Sequence, residues 1–144
     1  MKYAFLKQLL LAIAIWVWAI ILNTVLGTIY LVAIRFLDAA SLLAFGSLYS
    51  AVFSFPVMIA LFIIINRYAA GDKKGVSLFN AAFITSVVLT ITVFLVFWHL
   101  MGLRGLIMGL VLQVIAIASG VISLMTFYTR LVKSGGDFKT ALNV

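Results

Sequence analysis

The chain has 144 residues, of which 67% are hydrophobic and only 9% are charged, and its formal net charge is +7. A soluble domain carries about 25% charged residues, so this chain lacks the polar surface that a soluble fold of its size requires. It contains no cysteine, which excludes disulfides, thiolate catalysis and zinc–thiolate sites. The composition predicts an integral membrane protein with a single domain over residues 1–144.

Four long apolar runs follow one another along the chain, and they cover residues 9–34, 39–65, 76–97 and 103–131. Each is long enough to cross a hydrocarbon core about 30 Å thick as a helix. The first run exceeds the roughly 7–15 apolar residues of a signal peptide, so we expect it to remain as the first span. Because the breaks are short, the sequence predicts an all-α fold with four transmembrane helices in an antiparallel bundle.

The basic residues are distributed unevenly among the breaks, the short segments that separate or flank the apolar runs. Eight of them precede the first run, lie between the second and third runs, or lie at or after the end of the fourth, whereas only Arg35 and Arg104 lie at the other two junctions between runs. Short loops rich in Lys and Arg remain on the cytoplasmic side of a membrane. We therefore predict cytoplasmic N- and C-termini in a bacterial inner membrane. This orientation accounts for the positive charge, and we expect no nucleic-acid partner.

Four cations in the breaks are candidates for binding lipid headgroups. They are Arg35, Arg104, Lys73 and Lys74. The alternative is purely structural: Arg35 pairs with Asp38 three residues later, Arg104 extends its side chain to the interface, and the two lysines only set the topology. A polybasic lipid site usually has about four to eight basic residues. The break around Lys73 alone has fewer, so such a site would also require basic residues of the C-terminal tail.

Side chains that could perform chemistry are scarce. The only acids are Asp38, Asp72 and Asp137, and none lies within an apolar run. Intramembrane proton relays and cation-coupled carriers depend on ionisable groups at depth, and general acid–base catalysis by carboxyls needs a facing pair. His99 is the only histidine, and one imidazole beside Trp98 supplies neither a metal site nor the usual ligands of a haem. We expect no catalytic residue, no metal and no cofactor, and we do not expect an enzyme.

The fourth run carries a stripe of small residues spaced by three or four positions, which keeps them on one helical face. Its members are Gly102, Gly105, Gly109, Gln113, Ala116, Gly120 and Ser123. Small residues allow helix backbones to approach closely in lipid, and an amide in hydrocarbon needs a hydrogen-bond partner. We predict that this face packs against another helix, either of the same chain or of another subunit.

The first two runs carry shorter stripes of the same kind. The first aligns Ala19, Asn23 and Gly27, and the second aligns Gly46, Ser50 and Ser54 ahead of Pro56. We expect the proline to disturb the second helix, because it has no N–H to donate. The first stripe places an amide deep in the membrane, where Asn23 should form an intramembrane polar contact.

Two hypotheses for function follow from these features. The first is a non-catalytic subunit or an accessory or assembly factor of a larger inner-membrane complex, which binds other integral membrane subunits through small-residue faces. The alternative is a small oligomeric transporter or lipid flippase that works without a membrane-embedded carboxylate. Both hypotheses include membrane lipids as partners, and both are compatible with a homo-oligomer.

Overall fold

A computed structural model of the protein describes residues 2–35, 38–70, 75–101 and 106–134. The regular structure of these residues consists of α1 (Lys2–Ala33), α2 (Ala39–Ala70), α3 (Gly75–Met101), α4 (Leu106–Thr126) and α5 (Tyr128–Ser134). Seven of the residues named above lie outside the described ranges: Gly102, Gly105, Arg104, Asp72, Lys73, Lys74 and Asp137.

Four of these helices are long and apolar enough to cross a membrane. The candidate spans are Phe5–Ala33, Ala39–Ala69, Gly75–Val96 and Gly109–Thr126. In hydrocarbon a backbone must satisfy its own hydrogen bonds, which a helix does within one segment. The shortest span has 18 residues, and at 1.5 Å per residue it measures about 27 Å, close to the thickness of a hydrocarbon core. The prediction of an all-α fold with four long apolar helices that could cross a membrane is confirmed.

The helices extend beyond the apolar runs from which they were predicted. α1 begins at Lys2 instead of residue 9, and α2 continues to Ala70 instead of ending at residue 65. Pro56 lies inside α2, which remains one helix on both sides of it. Apolar runs mark the part of a helix that suits hydrocarbon, whereas backbone hydrogen bonds carry the helix on through polar residues such as Asn66 and Arg67.

The predicted fourth run is divided in the structure by a turn at Phe127. The Phe127 N–H still donates to the Ser123 carbonyl at 3.2 Å, and the Leu131 N–H donates to the Phe127 carbonyl at 2.9 Å. The short helix α5 therefore follows α4 without a loop. Leu131 on α5 is fully buried, and it belongs to the same apolar cluster as Leu124 on α4.

The apolar core lies toward one end of the packed helices. It consists of Ala12, Ile15, Leu61, Ile65, Leu78, Ala82, Leu124 and Leu131. These side chains come from the first half of α1, the second half of α2, the first half of α3, the end of α4 and α5. Away from this cluster, the other half of α1 buries the small or polar residues Thr24, Gly27 and Thr28. Packing is thus apolar at one end and of mixed polarity farther along.

Between α1 and α2, Arg35 and Asp38 do not form the ion pair that their spacing suggested. The Asp38 carboxylate instead accepts the Ser41 N–H at 2.9 Å and caps the first turn of α2. Arg35 lies in the turn just after α1 with a φ of 55°, and its N–H donates to the Val32 carbonyl at 2.9 Å. The cap prevails because the unpaired N–H groups and the positive end of the helix dipole both attract the carboxylate.

The Asp38 cap leads to a prediction about pH. Hydrogen bonds from Ser41, chiefly from its backbone N–H, hold the pKa of Asp38 below its ordinary value of 3.8. A carboxyl whose pKa is lowered by folding stabilises the fold above that ordinary value, and the contribution is lost as pH falls through the folded pKa. We expect Asp38→Ala to lower the melting temperature at neutral pH, and Asp38→Asn to retain most of the cap.

Thermal unfolding in detergent at neutral and at strongly acidic pH measures this effect. The melting temperatures of the wild type and Asp38→Asn should converge as pH falls below 3.8, since the protonated Asp38 side chain is then an uncharged cap, as asparagine is. A difference between them that stays constant over this pH range would show that the Asp38 charge does not contribute.

Candidate functional site

Two side-chain hydrogen bonds join α1 to α2. The Asn23 Nδ2 atom donates to the Ser50 hydroxyl at 2.7 Å, and the Trp16 Nε1 atom donates to the Ser54 hydroxyl at 2.8 Å. Ser54 in turn donates to the Ser50 carbonyl within α2. The amide of Asn23 thereby gains a partner in the membrane-spanning part of the chain, and the polar stripes of the two helices meet.

Glycine brings neighbouring helices together on both sides of α1. A Cβ atom at Gly46 of α2 would lie 3.8 Å from the Thr24 methyl, and one at Gly27 would lie 3.8 Å from a methyl of Leu112 on α4. Both distances are ordinary van der Waals contacts. These two glycines therefore permit close packing, yet each position has room for alanine.

The α1–α2 hydrogen bond can be tested by a double-mutant cycle on Asn23→Leu and Ser50→Ala. Interhelical hydrogen bonds in membrane proteins contribute about 0.6 kcal/mol on average and at most about 1.7 kcal/mol. We expect each single variant to lose stability, and the double variant to lose less than the sum by an amount in that range. Strict additivity of the unfolding free energies would mean that the two side chains do not interact.

The small-residue stripe of α4 contacts two different helices. A Cβ atom at Gly109 would overlap the indole of Trp98 on α3. At the other end of the stripe, Ser123 is fully buried, and its hydroxyl donates to the Ile15 carbonyl of α1 at 2.6 Å. Gly109 and Ser123, the first and last residues of the stripe within the described ranges, thus both contact helices of the same chain.

The middle of the stripe is less occupied than its ends. Gln113, Ala116 and Gly120 are only half-buried. No atom of another helix in the described ranges lies within 4 Å of the position that a Cβ would take at Gly120. Gln113 takes part in none of the hydrogen bonds formed within the described part of the chain. Gln113 thus has no hydrogen-bond partner among the described residues, and Gly120 faces open space.

Three buried polar atoms have no hydrogen-bond partner among the described residues, which the sequence alone did not indicate. They are Gln8 Oε1, Thr24 Oγ1 and Ser86 Oγ. Other hydroxyls bond within their own helix, as Thr90 does with the Ser86 carbonyl at 2.8 Å. The available signal was a polar residue on a helical face that is otherwise apolar, but that pattern does not reveal which hydroxyls find partners.

The acidic and histidine side chains of the described residues do not form a metal site. In residues 2–35, 38–70, 75–101 and 106–134, no three His, Cys, Asp or Glu side chains lie close enough to hold a metal ion together. His99 is exposed on the last turn of α3. Trp18 is 40% exposed, whereas Trp16 is half-buried against α2. The features that remain for function are the polar contacts between helices and the stripe on α4.

Comparison with models of known protein families, with curated proteins and with solved structures gives no match. The fold and the site define a class of protein: an integral membrane protein whose four long apolar helices meet through small residues and a few polar contacts.

Proposed function

We propose that this protein is a non-catalytic subunit or an accessory factor of a larger membrane protein complex, and that it binds a helix of another subunit along α4. The observation that carries the proposal is the open middle of the α4 stripe. There Gln113 has no hydrogen-bond partner among the described residues, and the space over Gly120 is empty of described atoms.

Geometry and energetics both favour a helix as the occupant. Gln113 and Gly120 are seven residues apart, which is about two turns, so they lie on nearly the same face and about 10 Å apart along the axis. An amide left unpaired in hydrocarbon costs several kcal/mol, and small residues facing lipid bring no advantage over leucine. A partner helix that carries a polar side chain would bond to Gln113 and approach the α4 backbone at Gly120.

The proposed arrangement is an antiparallel bundle in a bacterial inner membrane with both termini in the cytoplasm. The contacts between α1 and α2 support the antiparallel order, because the earlier residue of α1 bonds to the later residue of α2. Trp16 pairs with Ser54, and Asn23 pairs with Ser50. The eight-to-two distribution of basic residues supports the orientation.

Reporter fusions test the orientation. Fusions at Gly71 and after the last residue should report the cytoplasm, and a fusion at Asp38 should report the opposite side. A reporter at Gly71 that gives the external signal would overturn the four-span arrangement.

Site-specific photo-crosslinking tests the α4 interface. A photoreactive residue at position 120 should form an adduct with a different integral membrane protein, while the same residue at position 122 should react far less. Ile122 is 46% exposed and lies on another face of α4, so it is the matched control. Native mass spectrometry after gentle extraction should show a hetero-complex of fixed stoichiometry, and Gln113→Leu should weaken it.

Equal crosslinking at positions 120 and 122, together with a chain that is monomeric after gentle extraction, would refute the α4 interface. Adducts that contain only a second copy of this chain would instead favour the alternative.

The alternative is a small oligomeric transporter or lipid flippase, and the buried hydroxyls favour it. Thr24, Thr28 and Ser86 are all buried, and the hydroxyls of Thr24 and Ser86 lack partners among the described residues. Such hydroxyls could contact a polar headgroup without a titratable carboxylate. Translocation of labelled phospholipid in vesicles that contain only the purified chain would support this function over that of a subunit.

A further inference from the structure

The described helices place four exposed cations at one end of the molecule. They are Lys7 on α1, Arg67 on α2, and Arg130 and Lys133 on α5. Lys7 lies less than two turns from the buried Ala12, and Arg67 lies two residues beyond the buried Ile65. All four therefore surround the end of the molecule that holds the apolar core. We call these four residues the basic-end surface.

Contacts between the helices show that these positions are neighbours. The rings of Phe5 on α1 and Phe62 on α2 meet edge to face with centroids 5.1 Å apart. At the start of α3, the Gly75 backbone lies directly against the backbone of Val132 on α5. The start of α1 and the end of α2 therefore lie together, as do the start of α3 and α5.

Helix α5 is held so that its cations remain exposed. Leu131 is fully buried in the apolar cluster, and the ring of Tyr128 packs edge to face on Phe79 of α3 with centroids 4.9 Å apart. Arg130 lies over the Phe127 ring at 5.7 Å and keeps its guanidinium exposed, and Lys133 is also exposed. The anchoring of α5 adds the cations of the C-terminal segment to those of α1 and α2.

The described part of the chain places no acid near these cations. Its one carboxylate side chain is Asp38, just before α2, whereas Arg67 lies near the other end of that helix. At 1.5 Å per residue the two are about 43 Å apart. In the sequence, the segment after α2 adds Asp72, Lys73 and Lys74, and the segment after α5 adds Asp137 and Lys139, so cations outnumber acids there as well.

We infer that the basic-end surface binds the phosphate headgroups of anionic phospholipids. Apolar side chains next to the cations indicate a lipid and not a soluble anion: Ile63 is 54% exposed one turn before Arg67, and Val76 is 50% exposed at the start of α3. Acyl chains along these residues would place the headgroup phosphates beside the cations. Clusters of about four to eight basic residues at the ends of membrane-spanning helices are typical of anionic-lipid binding. This inference is independent of the partner proposed for α4.

The test uses the full chain in a neutral detergent, mixed with equal amounts of phosphatidylglycerol and phosphatidylcholine and measured by native mass spectrometry. The wild type should retain phosphatidylglycerol in preference to phosphatidylcholine, and added salt should weaken the preference. Each cation near an anionic headgroup contributes about fivefold to affinity, so Arg67→Gln combined with Lys133→Gln should lose on the order of 25-fold.

Two controls separate lipid binding from a general effect of charge or folding. The charge-preserving pair Arg67→Lys with Lys133→Arg should retain phosphatidylglycerol, because the phosphate still meets two cations. Asn66→Ala changes an exposed, uncharged side chain beside Arg67 and should not change the lipid preference. Thermal unfolding in detergent without lipid should be alike for all of these variants, since the substituted side chains are exposed.

Three outcomes would overturn the proposal. One is an equal retention of the two lipids by the wild type. Another is a loss of preference in Asn66→Ala as large as that in the double variant Arg67→Gln with Lys133→Gln. The third is complete displacement of phosphatidylglycerol by inorganic phosphate at equal concentration, which would identify a site for free phosphate. If a variant fails to fold, the salt dependence of the wild-type preference still decides the matter.

Discussion

Gly75→Ala is expected to destabilise the purified chain by about 1–3 kcal/mol, the usual cost of forcing extra volume into a packed site. A Cβ atom at Gly75 would lie 2.8 Å from both the Cα and the carbonyl carbon of Val132, and still closer to the carbonyl oxygen. These are backbone atoms of α5, which cannot rotate away as a side chain could. The substitution should therefore push α5 off α3 and expose the buried Leu131.

A glycine-to-alanine change within a helix would otherwise stabilise it by roughly 0.5–1 kcal/mol, because alanine loses less conformational entropy on folding. Gly120→Ala is the matched control, since it adds the same methyl group to α4 where no described atom lies within 4 Å. Thermal unfolding followed by tryptophan fluorescence compares the two variants. Equal melting temperatures would show that α5 does not lie against the start of α3.

Gly109→Leu is the second substitution with a large expected effect. A Cβ at Gly109 would lie 3.1 Å from Cε2 and 3.3 Å from Cζ2 of the Trp98 indole, and nearer still to its Nε1 atom. The leucine side chain has to displace the whole ring, so α3 and α4 must separate or Trp98 must change rotamer. We expect a loss of about 1–3 kcal/mol and a shift in tryptophan emission.

Leu110 provides the control for this experiment, because it is 45% exposed on a neighbouring face of α4. Leu110→Val should unfold close to the wild-type temperature. If Gly109→Leu keeps its stability but loses a co-purified partner, the contact is made with another subunit and not with Trp98. Unchanged stability together with unchanged co-purification would show that the stripe is not a packing surface.

The α4 stripe illustrates what periodicity alone can predict. Spacing by three and four places Gly109, Gly120 and Ser123 on one face, and in the sequence all three are equivalent small residues. The structure separates them: Gly109 lies under Trp98, Ser123 bonds to the Ile15 carbonyl, and Gly120 faces open space. The period of a helix defines its faces, but the tilt and register of neighbouring helices decide which part of a face is covered.

For the polar residues of α1 and α2 too, the sequence predicts the need for a contact, and the packing of the helices decides the partner. Asn23 requires a hydrogen bond because hydrocarbon offers none, and this follows from the sequence. Its partner Ser50 and the bond from Trp16 to Ser54 depend on how far α2 slides along α1. A shift of one turn would bring different side chains opposite each other, and nothing in either helix alone specifies that shift.

The sequence by itself determined the class of protein, the number of long apolar helices and their approximate positions. Those features depend on the composition and length of continuous segments, which are local properties of the chain. Only the tertiary structure decided that Asp38 caps α2 instead of pairing with Arg35, that α5 separates from α4 at Phe127, and that the apolar core lies toward the basic end. In each case a side chain could contact several alternative partners, some of them distant in sequence. Three-dimensional packing and hydrogen-bond geometry decide which of these contacts forms.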